Sequence, residues 1–202
     1  MVTSRTSTPG GAAAGSDPGD VETVAERLRR LVAGLPPQDG VAVFGGVYLT
    51  VTEAVGADLS AGDVFRTPGD TACLDVLFAG RFLAALGPGP APACWRPLLE
   101  LRLHPGIRPV QFLLCGMTAH IEHDLPLAVV DTCRRLGCPP QELSGDFQRV
   151  DQVLAQVEQR VRERLLPGSP GWRRSWTSVT RCCTGSAPGA STGPGTPPGP
   201  AR

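Results

Sequence analysis

Two of the three histidines, His120 and His123, lie three residues apart in the longest apolar run of the chain, residues 110–135, and Asp124 directly follows the second. Imidazole is the one side chain whose ordinary pKa lies near neutrality, and a carboxylate beside it can orient it, hold its proton or share a metal ion with it. On a helix with 100° per residue, His120 and Asp124 fall about 40° apart, on the face that also carries Leu113, Gly116 and Met117. His123 lies on the flank of that face. Asp131 would return to the line of His120 on a straight helix. Pro126 removes a hydrogen-bond donor and bends the rod before Asp131 is reached.

Three readings fit these residues. In the first, His120, His123, Asp124 and a carboxylate from another helix, Asp75, hold a divalent metal of the Zn, Mn or Fe kind. In the second, His120, His123 and Asp124 form a catalytic acid–base group without metal, hydrolase-like in its chemistry. In the third, they satisfy one another as a buried polar network at the bend, in a non-catalytic binding or structural protein. The motif His-x-x-His-Asp is less specific than His-Glu-x-x-His, and only one helix carries histidines at this spacing. No Gly-rich phosphate loop or Gly-x-Ser-x-Gly elbow accompanies it.

The elements that must position these side chains read as helices. Asp20 is placed as the N-cap of a first helix, with Val21, Val24, Ala25, Leu28, Leu31, Val32 and Leu35 recurring at helical spacing. Gly34 and Pro36-Pro37 end it, and Glu26, Arg27, Arg29 and Arg30 make its solvated face. Residues 40–55 are rich in β-branched side chains, yet Phe44, Val47, Tyr48, Val51 and Val55 keep a helical period, with Gly45-Gly46 as a close-packed point. Tyr48, the single tyrosine, reads as a core residue with its hydroxyl paired. A third helix over 71–86, capped by Asp70, turns Leu74, Leu77, Phe78, Phe82 and Ala85 inward. Asp75 falls on that inward side and needs a partner, for which Arg81 is the expected cation. A short helix over 94–103 sets Trp95, Leu98, Leu99 and Leu103 inward, with Pro97 in its first turn and His104 as a surface or capping histidine. The central helix ends at Gly137 before Pro139-Pro140, with Arg134 and Arg135 in its last turn. Asp146 caps a last helix with Phe147, Val150, Leu154, Val157, Val161 and Leu165 inward and Asp151 and Glu158 bordering the stripe.

The expected architecture is therefore all-α: one compact domain over residues 20–168, a bundle of about five or six helices around a buried, proline-bent central helix. Residues 1–19 and 169–202 are Gly-, Pro-, Ser- and Thr-rich and read as disordered ends. The tail admits a second reading, a change of reading frame near Trp172, because out-of-frame GC-rich codons give such a composition. The 19 basic residues balance 19 acidic ones, so no basic stripe marks a nucleic-acid partner. All 19 are Arg, which fits a GC-rich coding sequence. The N-terminal segment lacks the apolar core of a secretory signal, and no membrane-spanning helix is expected. Among the seven cysteines, Cys73, Cys94, Cys115, Cys133 and Cys138 read as small apolar groups in a reducing cytoplasm. The small-molecule or protein partner is left open.

The runs LDVLFAGRFLAAL, HPGIRPVQFLLCGMTAHIEHDLPLAVVDTC and DFQRVDQVL together resemble a domain-of-unknown-function family of compact helical proteins common in high-GC bacteria. The resemblance covers roughly residues 22–168 and centres on Gly-Met-x-Ala-His-Ile-x-His-Asp-Leu-Pro. Its usual pattern has Asn where this chain has Thr118 and Glu122, whereas His120, His123 and Asp124 match. The resemblance implies an all-helical fold with these three residues at its core, and no particular reaction.

Overall fold

The computed structural model describes residues 18–146, 149, 150, 152–157 and 159. Those residues form helices and connecting turns, with no strand among them. The elements in chain order are α1 (Pro18–Ala33), α2 (Gly40–Ala61), α3 (Pro68–Ala85), α4 (Arg96–Leu101), α5 (Pro109–Thr118), a π-helical turn (Ala119–Asp124), α6 (Leu125–Leu136) and α7 (Pro140–Leu143), followed by a 3₁₀ turn (Ser144–Asp146). Seven α-helices among the described residues exceed the expected five or six, because the central rod is divided and α7 adds a single short turn. The expected ends, residues 1–17 and 169–202, lie outside the described residues, as do Phe147, Asp151, Glu158, Val161, Leu165 and Trp172. Pro18 and Gly19, expected in the N-terminal segment, already belong to α1.

α1 buries Val21, Val24, Ala25 and Leu28, one stripe at intervals of three and four. Asp20 lies in its first turn rather than at its cap, because the helix opens earlier, at Pro18. Its outward Arg29 reaches Glu53 of α2 at 2.7 Å.

α2 is the helix most wrapped by its neighbours. It packs on α1, α3, α4 and α5 and buries Val41, Phe44, Tyr48, Thr52, Val55 and Leu59. The central position expected for the 110–135 rod is thus shared with α2, and α6 buries only Ala128 and Thr132 among its residues. By length and composition α2 alone among the described helices could cross a membrane, with a mean hydropathy of 1.4, but half of that window is buried inside the fold. Asp39 caps α2 through Oδ1, which accepts from the Val41 N–H at 2.8 Å. The other oxygen accepts from Arg102 at the end of α4, 2.6 Å away, and the Gly40 N–H donates to the Arg102 carbonyl at 2.7 Å. One buried carboxylate therefore fixes both the start of α2 and the end of α4. Sequence reading passed over it.

Two glycines set the distance between α2 and α5. A methyl group on Gly116 would stand 2.5 Å from the Phe44 ring, and one on Gly40 would stand 2.6 Å from the Phe112 ring. Each helix offers a glycine to the aromatic knob of the other, so the backbones approach closely. One turn beyond Gly116 is His120, and one turn beyond Phe44 is Tyr48, so the same contact brings imidazole and phenol together.

α3 starts at Pro68 with Thr67 as N-cap and no side-chain bond of its own there. Asp70, expected as the cap, lies in the first turn. The capping is done from a distance by Asp146, which accepts from the Arg66 and Thr67 N–H groups at 2.9 and 3.1 Å and from the Thr67 and Thr71 hydroxyls at 3.1 and 2.9 Å. Burial pushes the Asp146 carboxyl up, and these donors outweigh it and hold it below the usual carboxylate range. The deepest face of α3 is Ala72, Cys73, Ala79 and Phe82, with Leu74, Leu77 and Phe78 half-buried, a rotation from the expected stripe. In α4, Trp95 just before the helix and Leu98 are buried, whereas Leu103, expected inward, is 63% exposed. Residues 149, 150, 152–157 and 159 are helical. Val153 and Val157 enter the core and Arg149 reaches Asp58 of α2 at 3.1 Å.

Candidate functional site: a buried His–Asp pair on a π turn

Pro126 does not break the central rod. It has no N–H to give, and its ring crowds the turn before it. The chain answers by widening: residues 119–124 form a π turn, closed by the Leu125 N–H donating to the carbonyl of His120, five residues back. The rod then continues as α6 until Gly137, whose φ of 69° suits the C-terminal position read from sequence. Such wide turns interrupt the regular ladder and often accompany functional sites.

The π turn carries His120 and Asp124 inward, each 2% exposed. Asp124 collects three donors. The Trp95 indole N–H donates to Oδ2 at 3.0 Å, His120 Nδ1 lies 3.3 Å from the same oxygen, and His123 Nδ1 lies 2.9 Å from Oδ1. Burial raises the Asp124 carboxyl, but the hydrogen bonds from His120, His123 and Trp95 prevail and its pKa is lowered. Asp124 is therefore the ionised member. For His120 the balance is the reverse: burial dominates over the carboxylate beside it, and its pKa falls below the ordinary value. A neutral imidazole next to an ionised carboxylate puts its proton on Nδ1, facing Asp124. That leaves Nε2 with a lone pair, and Nε2 is buried without a hydrogen-bond partner.

Rings enclose that nitrogen. Phe78 stacks on the imidazole, centroids 3.6 Å apart and 5° from parallel. Tyr48 stands edge-on at 4.4 Å, and Phe44, Trp95 and Phe82 complete the wall at 5.7, 6.0 and 6.2 Å. Among the described residues, three other buried side-chain polar atoms lack a hydrogen-bond partner: the Tyr48 hydroxyl, the Thr52 hydroxyl and Asp75 Oδ2. They belong to one neighbourhood. Burial, then the negative charges of Asp75 and Asp124, lift the Tyr48 phenol well above its ordinary value, and the Thr52 hydroxyl opposes the rise. Burial alone pushes Asp75 up to about 7.

The inward placement of Asp75 agrees with its helical position; its expected pairing does not. Arg81 turns instead to Asp131 on α6, and Asp131 also has Arg134 at 3.7 Å. Asp131 therefore serves an α3–α6 ion pair. The Tyr48 hydroxyl, expected to be paired, has the Thr52 hydroxyl as a neighbour but no hydrogen-bond partner within range. His123 is 42% exposed at its side chain and points its Nδ1 at Asp124. Among the described residues, no group of three or more His, Cys, Asp or Glu side chains is arranged to hold a metal ion. Of the four expected ligands, His120, His123 and Asp124 meet through the Asp124 carboxylate, to which both imidazoles direct Nδ1, and Asp75 stands on α3. His104 is exposed, and its Nδ1 accepts from the Gly106 N–H at 3.1 Å, as a turn-capping histidine.

Sequence reading missed Trp95 as a donor to Asp124 and Thr52 as a neighbour of Tyr48. A signal for Thr52 existed: it lies four residues after Tyr48 on the apolar face of α2, where a polar side chain has no solvent. Nothing local announces the Trp95 contact, which spans 29 residues.

The fold and site together define an all-α bundle with a carboxylate-oriented histidine buried on a π turn. The family of unknown function DUF5995 matches residues 21–184, well over half of the chain, and the chain belongs to that family. The match extends beyond residue 168, where the resemblance was expected to end, and passes Trp172. Comparisons with curated proteins and with solved structures gave no match.

Proposed function

We propose that the protein is a small-ligand acid–base protein in which His120 Nε2 takes and returns a proton, with Asp124 fixing the imidazole. The observation that supports this most directly is the buried, unpartnered Nε2 opposite an Nδ1 held by an ionised carboxylate. A buried acceptor left bare costs about 1–3 kcal/mol, so a fold that keeps one has a use for it or a ligand on it. The carboxylate–imidazole order is the one in which a carboxylate selects the tautomer and stabilises the imidazolium that forms on proton transfer. Trp95 and His123 hold Asp124 and are positioning residues. Asp75 with a pKa of about 7 supplies a second group able to carry a proton near neutrality. Hydrolysis, with His120 activating water, is the simplest reaction open to such a base. The five described cysteines are free, which supports a reducing, cytoplasmic setting.

The test is hydrolysis of a panel of small activated esters by the wild type and by His120→Gln, Asp124→Asn and His123→Gln. General-base catalysis contributes roughly 10²–10⁴-fold. The rate should drop by about 10² or more in His120→Gln, fall in Asp124→Asn, and stay within about threefold in His123→Gln. A wild-type rate no higher than that of folded His120→Gln overturns the reading. Elemental analysis of the wild type and of His120→Ala distinguishes the metal alternative, which requires about one equivalent of Zn, Mn or Fe that is lost in the variant.

A further inference from the structure

The four bare atoms around His120 share one property: each can accept a hydrogen bond. Nε2 of the neutral imidazole and a carboxylate Asp75 Oδ2 accept, and the Tyr48 and Thr52 hydroxyls have lone pairs free. Charge has the same bias. Asp75 and Asp124 both act on the Tyr48 hydroxyl, so two carboxylates border one small volume. The neighbouring cations are engaged elsewhere: Arg81 with Asp131, and Arg102 with Asp39. The chain has no lysine of its own to supply an ammonium group. The walls are aromatic faces and edges from Phe44, Tyr48, Phe78, Phe82 and Trp95, which attract a desolvated cation.

We infer that the ligand of this site is a small primary ammonium compound, its N–H donors shared among Asp75 Oδ2, the Tyr48 hydroxyl and His120 Nε2. This rests on the ligand-binding reading of the same site. An ammonium head has three donors and no acceptor, which matches a set of acceptors. A carboxylate or phosphate ligand meets Asp75 and Asp124 with repulsion. A neutral alcohol satisfies two atoms and leaves the Asp75 charge uncompensated. Entry is from the α3 side, where Asp75 and Phe78 are only partly buried, whereas Thr52 and His120 are closed off.

The experiment is thermal unfolding of the full chain at pH 8 in rising ethylammonium chloride, against matched sodium chloride, ethanol and sodium propionate. Ethylammonium should raise Tm by several degrees over the salt control, and ethanol and propionate should not. Asp75→Asn, which keeps side-chain volume, should abolish the shift, and Asp131→Asn should retain it. If Asp75→Asn fails to fold, Tyr48→Phe gives the same decision, with an expected tenfold weaker response. An equal shift from ethanol, no shift from ethylammonium, or a full shift in folded Asp75→Asn or Tyr48→Phe overturns the inference. His120→Gln separates the two readings, since its amide oxygen can still accept. Ammonium binding that survives there without ester hydrolysis in the wild type defeats the acid–base reading alone. Hydrolysis without ammonium binding defeats the ligand class alone.

Discussion

Gly116 lies directly under the ring of Phe44, so close that a methyl group in its place would stand 2.5 Å from two ring carbons. The contact is what lets α5 and α2 approach, and it fixes the height at which His120, one turn later, meets Tyr48. Gly116→Ala should therefore act on stability and site together. Overpacking a tight core costs about 1–3 kcal/mol, and here the obstructing atoms belong to a buried, wedged ring. Gly80→Ala is the control: it lies within α3 and its added methyl meets nothing within 4 Å. Helix propensity favours alanine there by up to about 1 kcal/mol. Urea unfolding should place Gly116→Ala below the wild type and Gly80→Ala level with it or above. Equal midpoints for the two variants would contradict the close approach of the two helices as the reason for a glycine at 116.

Asp146 ties the 3₁₀ turn after α7 to the start of α3 through two N–H groups and two hydroxyls. Loss of a helix cap costs about 0.5–2 kcal/mol, and Asp146→Ala also strands the Thr71 hydroxyl in the core. The loss should appear first in amide exchange at Arg66 and Thr67 and then in the global midpoint. Because its folded pKa is depressed, the contribution of Asp146 is present above the unfolded value of about 3.8 and disappears as pH falls through the folded one. Asp146→Ala should thus differ from the wild type at pH 7 and converge on it in strong acid. Unchanged exchange at Arg66 and Thr67 would show that the clamp contributes nothing.

What the sequence made legible follows the reach of each interaction. His120 and Asp124 are four residues apart on one rod, so helical periodicity was enough to place them on one buried face. Both lie inside the π turn itself, whose wider winding still keeps residues four apart on nearly the same face. Asp75 could be turned inward by the same reasoning, because burial depends on the helix's own apolar stripe. Its partner could not. Arg81 lies on the same helix and looked available, but a choice between Asp75 and Asp131 is decided by how α6 packs on α3, which no local pattern records. Trp95 was missed for the same reason: its role exists only once α4 and the π turn converge. Asp39 caps α2 through the Val41 N–H two residues on, a local signal left unread, and only its bond to Arg102 spans 63 residues. Asp146 caps α3 from about 80 residues away, whereas capping rules see only the next three or four positions.

Asp75 predicts an unusual pH dependence. Its folded pKa of about 7 lies above the ordinary value of 3.8, so near neutrality the folded state holds a proton that the unfolded chain has lost. The stability this gives is fully present below the unfolded pKa, at about pH 4, and is lost as pH rises through about 7. A tenfold change in proton affinity corresponds to about 1.4 kcal/mol. The side chain is only partly buried, and solvent screening there reduces the total, so the expected change is on the order of 2 kcal/mol. Asp75→Asn mimics the protonated acid at every pH. It should match the wild type at about pH 4 and exceed it at pH 8, measured by urea midpoints without amine. A variant equal to or weaker than the wild type at pH 8 would mean that Asp75 is compensated in the fold.

His120 should give the opposite limb. Burial lowers its pKa, so the folded protein resists taking up the proton that an unfolded histidine accepts near 6.5. Its contribution is present above that value and is lost as pH falls through the lower, folded pKa. The wild type should therefore weaken on acidification below about 6.5, an effect His120→Gln should remove while Asp75→Asn leaves it intact. The same protonation state can be read directly. Long-range proton–nitrogen correlation at pH 7 should show His120 with its proton on Nδ1 and a bare Nε2, because Asp124 accepts on the Nδ1 side. Asp124→Asn removes the charge that selects this tautomer, and Trp95→Phe leaves the tautomer but weakens the hold on Asp124. The expected order of disturbance is Asp124→Asn first and Trp95→Phe second, with His123→Gln smallest, since its side chain is 42% exposed and water can replace it. A proton found on Nε2 in the wild type would reverse the roles of the two nitrogens, and with them the base assigned to the site.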